Sequence, residues 1–536
     1  MRYSPQQLAF IKELREGSGS ICLQAVAGSG KTSTLVAAVA ELPSHLKITA
    51  AAFNKKIAVE LAQRMPEHVV CKTMNALGHG AWMRVLQGRR VRLDTGKTFN
   101  ICKKYWDSRV GMPAGVLRLV ALAKSHGLVP AGAPRNPKTV LMEDTPESWG
   151  WLIDRFQVDL NDQEAEAIEG ARRVLVDSIH AAFMGEIDFN DQLYMPVVYG
   201  APFFKNDVVL VDECQDLSAI QRQMLRMMLK PGGRLIAVGD PHQAIYGFRG
   251  ADAESVKNLV MEFNCLEMPL SVSFRCPKAV VAEAQNWVSH IEAAPEAPEG
   301  VVEHWSSYTA EAFTKDDVIL CRNNKPLVSL AYKFIRAGVG VTVLGREIGQ
   351  GLISLIKKQN AESVDDLVNK LDAYMIREIR KFEEQGKEDR AAAVEDKVGT
   401  IMVIIDHLPE RSRSVPGLIN TIEHLFADKS SRLTLSSIHK AKGLEWDRVF
   451  WLDANLVPSR YARLPWQIEQ ERNLGYVAVT RAKKTLVYIT SSGFVDALPD
   501  GLTHEVLQST EPCEDEPPPE ENWAIAADLN GNPECV

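Results

Sequence analysis

Near the N-terminus, the run Ala25-Val26-Ala27-Gly28-Ser29-Gly30-Lys31-Thr32 separates a short apolar stretch, Ile21 to Ala25, from a segment with helical spacing, Thr32 to Leu42. A strand that passes through a glycine-rich turn into a helix leaves few folds open. The turn brings backbone N–H groups inward, and the helix start presents the positive end of its dipole to the same place. Such a loop cradles phosphate oxygens, with Lys31 reaching the β/γ-phosphates and the Thr32 hydroxyl facing Mg²⁺. The first glycine of the general pattern is Ala25 here.

The same alternation recurs downstream. Lys47 to Phe53 reads as a strand and Lys55 to Met65 as a helix, while Val208 to Val211, Leu235 to Val238, Val318 to Leu320, Arg448 to Leu452 and Leu486 to Ile489 are further short apolar runs. Strands of this kind alternating with helices predict an α/β fold with parallel sheets covered on both faces. Residues 85–205, which include Trp106, Trp149 and Trp151, read as an inserted helical subdomain, and 346–430 as a charged helical stretch whose charges are solvated faces. Val208 to Val211 ends in Asp212-Glu213, and a carboxylate at the end of a parallel strand faces the ligand crevice. Asp212 is therefore the candidate Mg²⁺ ligand and Glu213 the candidate base for an attacking water, so an ATPase is expected.

Composition narrows the class. Across 536 residues, 46% hydrophobic and 24% charged content is that of a globular protein, and no apolar run approaches the roughly 18 residues of a membrane span. The N-terminus lacks a signal-peptide pattern, so a cytoplasmic location is expected. Nine cysteines include no CxxC pair, which signals neither a zinc knuckle nor a disulfide framework. The net charge of −8 is concentrated at the end: from Glu511 onward there are eight acids and no Lys or Arg, and removing those eight from the 69 acids leaves 61 against 61 bases. A neutral body argues against a bulk electrostatic coat on nucleic acid and allows a local basic groove. The acidic segment, with Pro517-Pro518-Pro519, Trp523 and Ile525, reads as disordered and as a candidate for docking a protein partner.

Further segments complete a pattern. Asp212-Glu213-Cys214-Gln215-Asp216, Gly239-Asp240-Pro241-His242-Gln243-Ala244-Ile245-Tyr246-Gly247-Phe248-Arg249-Gly250, Ser273-Phe274-Arg275-Cys276-Pro277, Ser437-Ile438-His439-Lys440-Ala441-Lys442-Gly443-Leu444-Glu445-Trp446 and Glu471-Arg472-Asn473-Leu474-Gly475-Tyr476-Val477-Ala478-Val479-Thr480-Arg481-Ala482 follow the phosphate loop in order. Together they resemble motifs I to VI of the UvrD/Rep-like superfamily 1 DNA helicases over nearly all of residues 3–490.

The resemblance implies two RecA-like parallel-sheet domains of the P-loop NTPase class with a helical insertion in each. Their expected extents are 1–84 with 206–268 (1A, ATP-binding), 85–205 (1B), 269–345 with 431–505 (2A), 346–430 (2B) and an acidic tail, 506–536. It implies that Gln7 reads the adenine edge, Phe274 stacks on the base where tyrosine is usual, Ala27 to Thr32 hold the phosphates, and Glu445 meets the ribose or nearby groups. Gln243 would sense the γ-phosphate, and Arg275 and Arg481 would act as arginine fingers. Asn54, Lys55, Thr73, Tyr246, Phe248 and His439 match positions that meet DNA. The implied activity is ATP- and Mg²⁺-dependent DNA unwinding or single-strand translocation, 3′-to-5′, on single-stranded DNA and DNA junctions. A DNA-stimulated ATPase that displaces or organises proteins without separating duplexes stands as the alternative. Repair, replication and recombination remain open as pathways.

Overall fold

The computed structural model describes residues 3–106, 111–134, 136, 139–156, 158, 160, 163–245, 254–384, 388–426 and 433–495. The chain divides into two compact units, Met1–Val272 and Ser273–Val536.

The first unit is built on six parallel strands, β1 (Ile21–Ala25), β2 (Ile48–Ala52), β3 (Val69–Thr73), β4 (Asn206–Val211), β5 (Leu229–Gly239) and β6 (Leu266–Leu270), in the order β6-β1-β5-β4-β2-β3. Side chains alternate between faces along a strand, and both faces are buried. Ile21, Leu23 and Ala25 of β1, with Val208 and Leu210 of β4, pack into one core with Phe10 and Leu14 of helix α1 (Pro5–Glu16) and Leu35 of α2 (Lys31–Ala40). Cys22, Val209 and Val211 face the other core, which continues into the helices between β3 and β4. That is why the apolar runs read as unbroken rather than alternating.

Two helices start directly at the ends of β2 and β3. α3 (Lys55–Arg64) is capped by Asn54, whose Oδ1 accepts from the Ile57 N–H at 2.9 Å, and α4 (Met74–Val85) by Thr73, whose Oγ1 accepts from Ala76 at 3.1 Å. The long connection from α4 to β4 is mainly helical and buries an ionic cluster. Lys97 lies 2.6 Å from Asp191, Lys124 lies 2.7 Å from Asp191 and 2.8 Å from Asp188, and both lysines and Asp191 are buried. Ser178 and Thr98 take the remaining hydrogen bonds, and Asp188 and Asp191 each accept the other's backbone N–H.

The second unit repeats the architecture with β7 (Val301–Trp305), β8 (Val318–Cys321), β9 (Val341–Leu344), β10 (Leu433–Ser437), β11 (Trp446–Leu452) and β12 (Ala482–Ile489), all parallel in the order β7-β12-β11-β8-β10-β9. Helices 346–359, 364–384, 388–406 and 415–425 lie between β9 and β10. Their buried residues, Leu352, Leu367, Val398, Ile401 and Ile422 among them, share one continuous core with Leu330 and Phe334 of helix 324–336 and with Phe450 of β11. The chain therefore has two RecA-like α/β sheets of six strands each. Among the described residues no helix is long and apolar enough to cross a membrane.

Candidate active site

Strand β1 delivers the chain into the loop 26–30 with Gly28 and Gly30 both at φ +74°, a conformation that a side chain would strain. No side chain caps α2, so its first-turn N–H groups remain available at the loop. Ser29 Oγ is buried and has no hydrogen-bond partner among the described residues. An orphaned hydroxyl in a loop of inward N–H groups is the donor set an anionic group would satisfy.

The sheet order places the ends of β1, β5 and β4 side by side, so Lys31, Asp240 and Asp212-Glu213 converge. Lys31 Nζ lies 3.3 Å from Glu213 Oε1, and the Thr32 hydroxyl donates to Asp212 Oδ2 at 3.0 Å. Burial opposes the Lys31 charge, but Glu213, Asp212 and Asp240 together outweigh it and raise its pKa. Burial, and then the charge of Glu213, push Asp212 up to about 6, while Lys31 and Thr32 pull the other way. Asp240 is also raised, chiefly by burial.

Three carboxylates around one ammonium leave negative charge in excess. A divalent cation would offset it. Thr32 Oγ1 and an Asp212 oxygen are hard donors suited to Mg²⁺, which takes one or two protein ligands and completes its shell with phosphates and water. Among the described residues no group of three or more His, Cys, Asp or Glu forms a self-sufficient metal cage, in keeping with that division.

Two residues given no role in advance join these groups. Gln215 donates to Glu213 Oε2 at 2.6 Å and accepts from the Asp240 N–H at 3.0 Å, and Asp240 accepts from Gln243 Nε2 at 2.6 Å. A continuous hydrogen-bonded line therefore runs from Glu213 to Gln243. Gly239 is what lets β5 approach: a Cβ there would lie 2.5 Å from Gln215 Oε1 and 2.6 Å from Cys214 Sγ. Glu213 itself sits at φ +56°, a left-handed conformation costing a non-glycine residue about 1–3 kcal/mol.

Gln7 reaches the loop from α1, but both of its amide hydrogens are spent there, on the Ser29 carbonyl at 3.2 Å and Thr34 Oγ1 at 2.8 Å. Adenine reading by that amide would require their release. Asn54, Lys55 and Thr73 lie at the ends of the adjacent strands β2 and β3, and the first and third act as helix caps. Asn75 extends this edge, donating to the Phe189 carbonyl at 2.9 Å and to Gln192 Oε1 at 3.0 Å. Tyr246 and Phe248 lie outside the described residues.

In the second unit, Phe274 is half exposed and beside it Arg275 Nε lies 2.6 Å from Glu445 Oε2, so two residues 170 positions apart form one ion pair. Arg481 is 1% exposed, its guanidinium donating to the carbonyls of Val477 and Leu444 and to Thr480 Oγ1. In this geometry it braces the start of β11 and β12 rather than presenting a free cation. His439 stands just past the end of β10.

Comparison with known proteins finds helicase relatives. The family model for the UvrD/REP helicase N-terminal domain matches residues 201–264, and that for the UvrD-like helicase C-terminal domain matches 350–493. The chain is 25% identical over 524 residues to F-box DNA helicase protein 1 of Schizosaccharomyces pombe, covering 91% of this chain and 58% of that protein. It is 25% identical over 531 residues to F-box DNA helicase 1 of Gallus gallus (91% and 49%), and 24% identical over 568 residues to ATP-dependent DNA helicase UvrD2 of Mycobacterium tuberculosis (90% and 78%). The chain thus spans about half the length of the two F-box proteins. Both family models match in their order, and the ends of β1, β5 and β4 assemble around Lys31, so the chain is similar to the UvrD/Rep-like superfamily 1 helicases.

Proposed function

We propose that the chain is a cytoplasmic ATP- and Mg²⁺-dependent DNA helicase or single-strand translocase that moves 3′-to-5′ on single-stranded DNA and at junctions. The observation that carries this reading is the convergence of Lys31, Thr32, Asp212, Glu213 and Gln243 on one end of the first sheet. Lys31 holds the outer phosphates, and Glu213 orients a water and takes its proton as the water attacks the γ-phosphorus. Thr32 and Asp212 would hold Mg²⁺, which when bound neutralises charge developing on the phosphate oxygens. Gln243 senses the γ-phosphate, and hydrogen bonds through Asp240 and Gln215 link it to Glu213.

Asn54, Lys55, Thr73 and His439, with Tyr246 and Phe248, contact the strand, and the acidic segment after Glu511 docks a protein partner. Arg275, held by Glu445, and Arg481 are the candidate arginine fingers. A second reading, a DNA-stimulated ATPase that displaces proteins without separating duplexes, draws support from the 346–425 helices, which share the core of their sheet instead of forming a body of their own. ATP hydrolysis with single-stranded DNA, duplex and RNA as activators, measured beside displacement of 3′- and 5′-tailed duplexes, tests both. Stimulation with displacement of 3′-tailed duplexes supports the first reading, stimulation alone supports the second, and no nucleic-acid stimulation refutes both.

A further inference from the structure

Gln7 stands where a base-reading amide is expected, yet its hydrogen-bonding capacity is turned inward. It lies at the third position of α1, and it is 5% exposed. Oε1 accepts the Ser4 N–H at 2.9 Å, and Nε2 donates to the Ser29 carbonyl at 3.2 Å and to Thr34 Oγ1 at 2.8 Å. A backbone N–H can only donate and a carbonyl can only accept, so these partners fix which end of the amide is which. Thr34 in turn donates to the Gly30 carbonyl at 2.9 Å, which leaves its oxygen as the acceptor from Gln7. The neighbouring Gln6 is committed elsewhere: its Oε1 accepts the Ser271 N–H at 2.8 Å and its Nε2 donates to Ser271 Oγ at 3.0 Å.

Adenine presents a donor, its N6 amino group, beside an acceptor, N7, whereas guanine presents two acceptors, O6 and N7. Telling them apart with one amide takes a free oxygen and a free N–H together, and such a bidentate pair is worth about 5- to 150-fold. Gln7 has no N–H left to give. Turning its amide to a base would take the donor from the Ser29 carbonyl, and a buried polar group left without a partner costs about as much as the new pair gains. Ser29 is 1% exposed and Thr34 fully buried, so water does not stand in for the lost amide. What the amide does instead is pin the phosphate loop. It ties the carbonyl before Gly30 and a side chain in the first turn of α2 to the start of α1. Gly30, at φ +74°, packs against it: a Cβ there would lie 3.3 Å from Gln7 Nε2.

On the reading of this loop as a triphosphatase site, we propose that it takes purine nucleoside triphosphates without regard to base, GTP as readily as ATP, and that Gln7 is a positioning residue for the phosphate loop rather than a reader of adenine. The grip is on the triphosphate and its Mg²⁺, through Lys31, Thr32 and the uncapped N–H groups at the start of α2. A ring stacked on the base, the part expected of Phe274, accepts any base because each has a π face.

The test is steady-state hydrolysis of Mg²⁺–ATP and Mg²⁺–GTP by the full chain on oligo-dT, with Mg²⁺–tripolyphosphate, which has no base, as a competing inhibitor and melting temperature as the check on folding. The parent is expected to give kcat/KM values for the two nucleotides within about 3-fold of each other, against the roughly 5- to 150-fold of a base that is read. Gln7→Ala should raise KM for both by one factor, about 5-fold or more, leave their ratio alone and weaken tripolyphosphate inhibition equally, since the loss lies in the loop. A parent preference for ATP beyond about 3-fold overturns the proposal and leaves the triphosphatase reading intact. So does a folded Gln7→Ala that loses ATP affinity alone, with GTP and tripolyphosphate unchanged, for that is the behaviour of a base reader. If Gln7→Ala does not fold, the parent ratio decides. A parent that hydrolyses neither nucleotide removes the triphosphatase reading, and the proposal with it.

Discussion

Replacing Asp191 with Asn changes almost no volume and removes one negative charge from the centre of a buried cluster. The Asp191 carboxylate lies 2.6 Å from Lys97 and 2.7 Å from Lys124, and it is fully buried, so water does not screen the loss. Two ammonium groups would then face the single carboxylate of Asp188, 2.8 Å from Lys124. Breaking a buried pair by removing one partner costs about 3–5 kcal/mol, because the other charge stays desolvated. At about 2–4 °C per kcal/mol for a unit of this size, the melting transition should fall by roughly 6–20 °C. Lys97→Met combined with Asp191→Leu removes one pair whole and leaves Lys124–Asp188 in place, and should recover most of that loss. The cluster also fixes the backbone at Asp188 and Asp191, and Asn75 ties that segment to the start of α4 beside Thr73. Weakened single-strand affinity should therefore accompany the thermal loss, read by calorimetry and by oligonucleotide anisotropy on the same preparations. A transition for Asp191→Asn within 2 °C of the parent, far less than the roughly 6–20 °C expected, would refute the reasoning.

Glu213→Gln should bind Mg²⁺–nucleotide and release phosphate very slowly, since Thr32 and Asp212 survive and the base is lost; failure to bind a fluorescent ATP analogue would make Glu213 a ligand instead. Protonated Asp212 cannot ligate a cation, and its pKa stands near 6, so Mg²⁺-dependent nucleotide affinity should be flat above that pH and fall up to tenfold per unit below it. The same raised pKa means that this group favours the fold more at pH 4 than at pH 7, so acid loss of nucleotide affinity without acid unfolding is the expected signature in a paired binding and melting series. Glu445→Gln should cost under about 1 kcal/mol of stability, because the pair with Arg275 is partly exposed, yet change ATP turnover by releasing Arg275; unaltered turnover would detach that arginine from hydrolysis.

Strands whose side chains are apolar on both faces were readable from the sequence, as with Ile21–Ala25 and Val208–Val211. Two edge strands of mixed burial were not. β3, with Val70 and Lys72 exposed, and β6, which contains Pro269, both lie at the edges of their sheet, where half of each strand faces solvent. β10 escaped for another reason: it is interior, yet two of its five residues are serines, and Ser436 satisfies its hydroxyl on the Ser437 carbonyl. At the site, residue types and order announced Lys31, Thr32, Asp212 and Glu213, because the phosphate loop and the acidic strand end are local signals. Gln215 and Asp240 gained their roles only from the approach of β5 at Gly239. Nor could a sequence say that the hydrogens of Gln7 are spent on Ser29 and Thr34, or that Arg481 is buried among carbonyls, since both depend on packing between distant segments.

The strand order of the first sheet also sets a timetable for synthesis. β1 has no partner near it in the chain: Ile21 pairs with Ile236 and Leu266, and the Val26 N–H that begins the phosphate loop donates to the Leu270 carbonyl at 3.0 Å. At about 5–20 residues per second, the ribosome needs roughly 12–50 s to make the chain between the loop and β6. During that interval the edges of β1 are unpaired, and contacts of such long sequence separation form late in any case. The glycine-rich segment has its composition as soon as it is translated, but it acquires its shape only when residues more than two hundred positions downstream close the sheet around it.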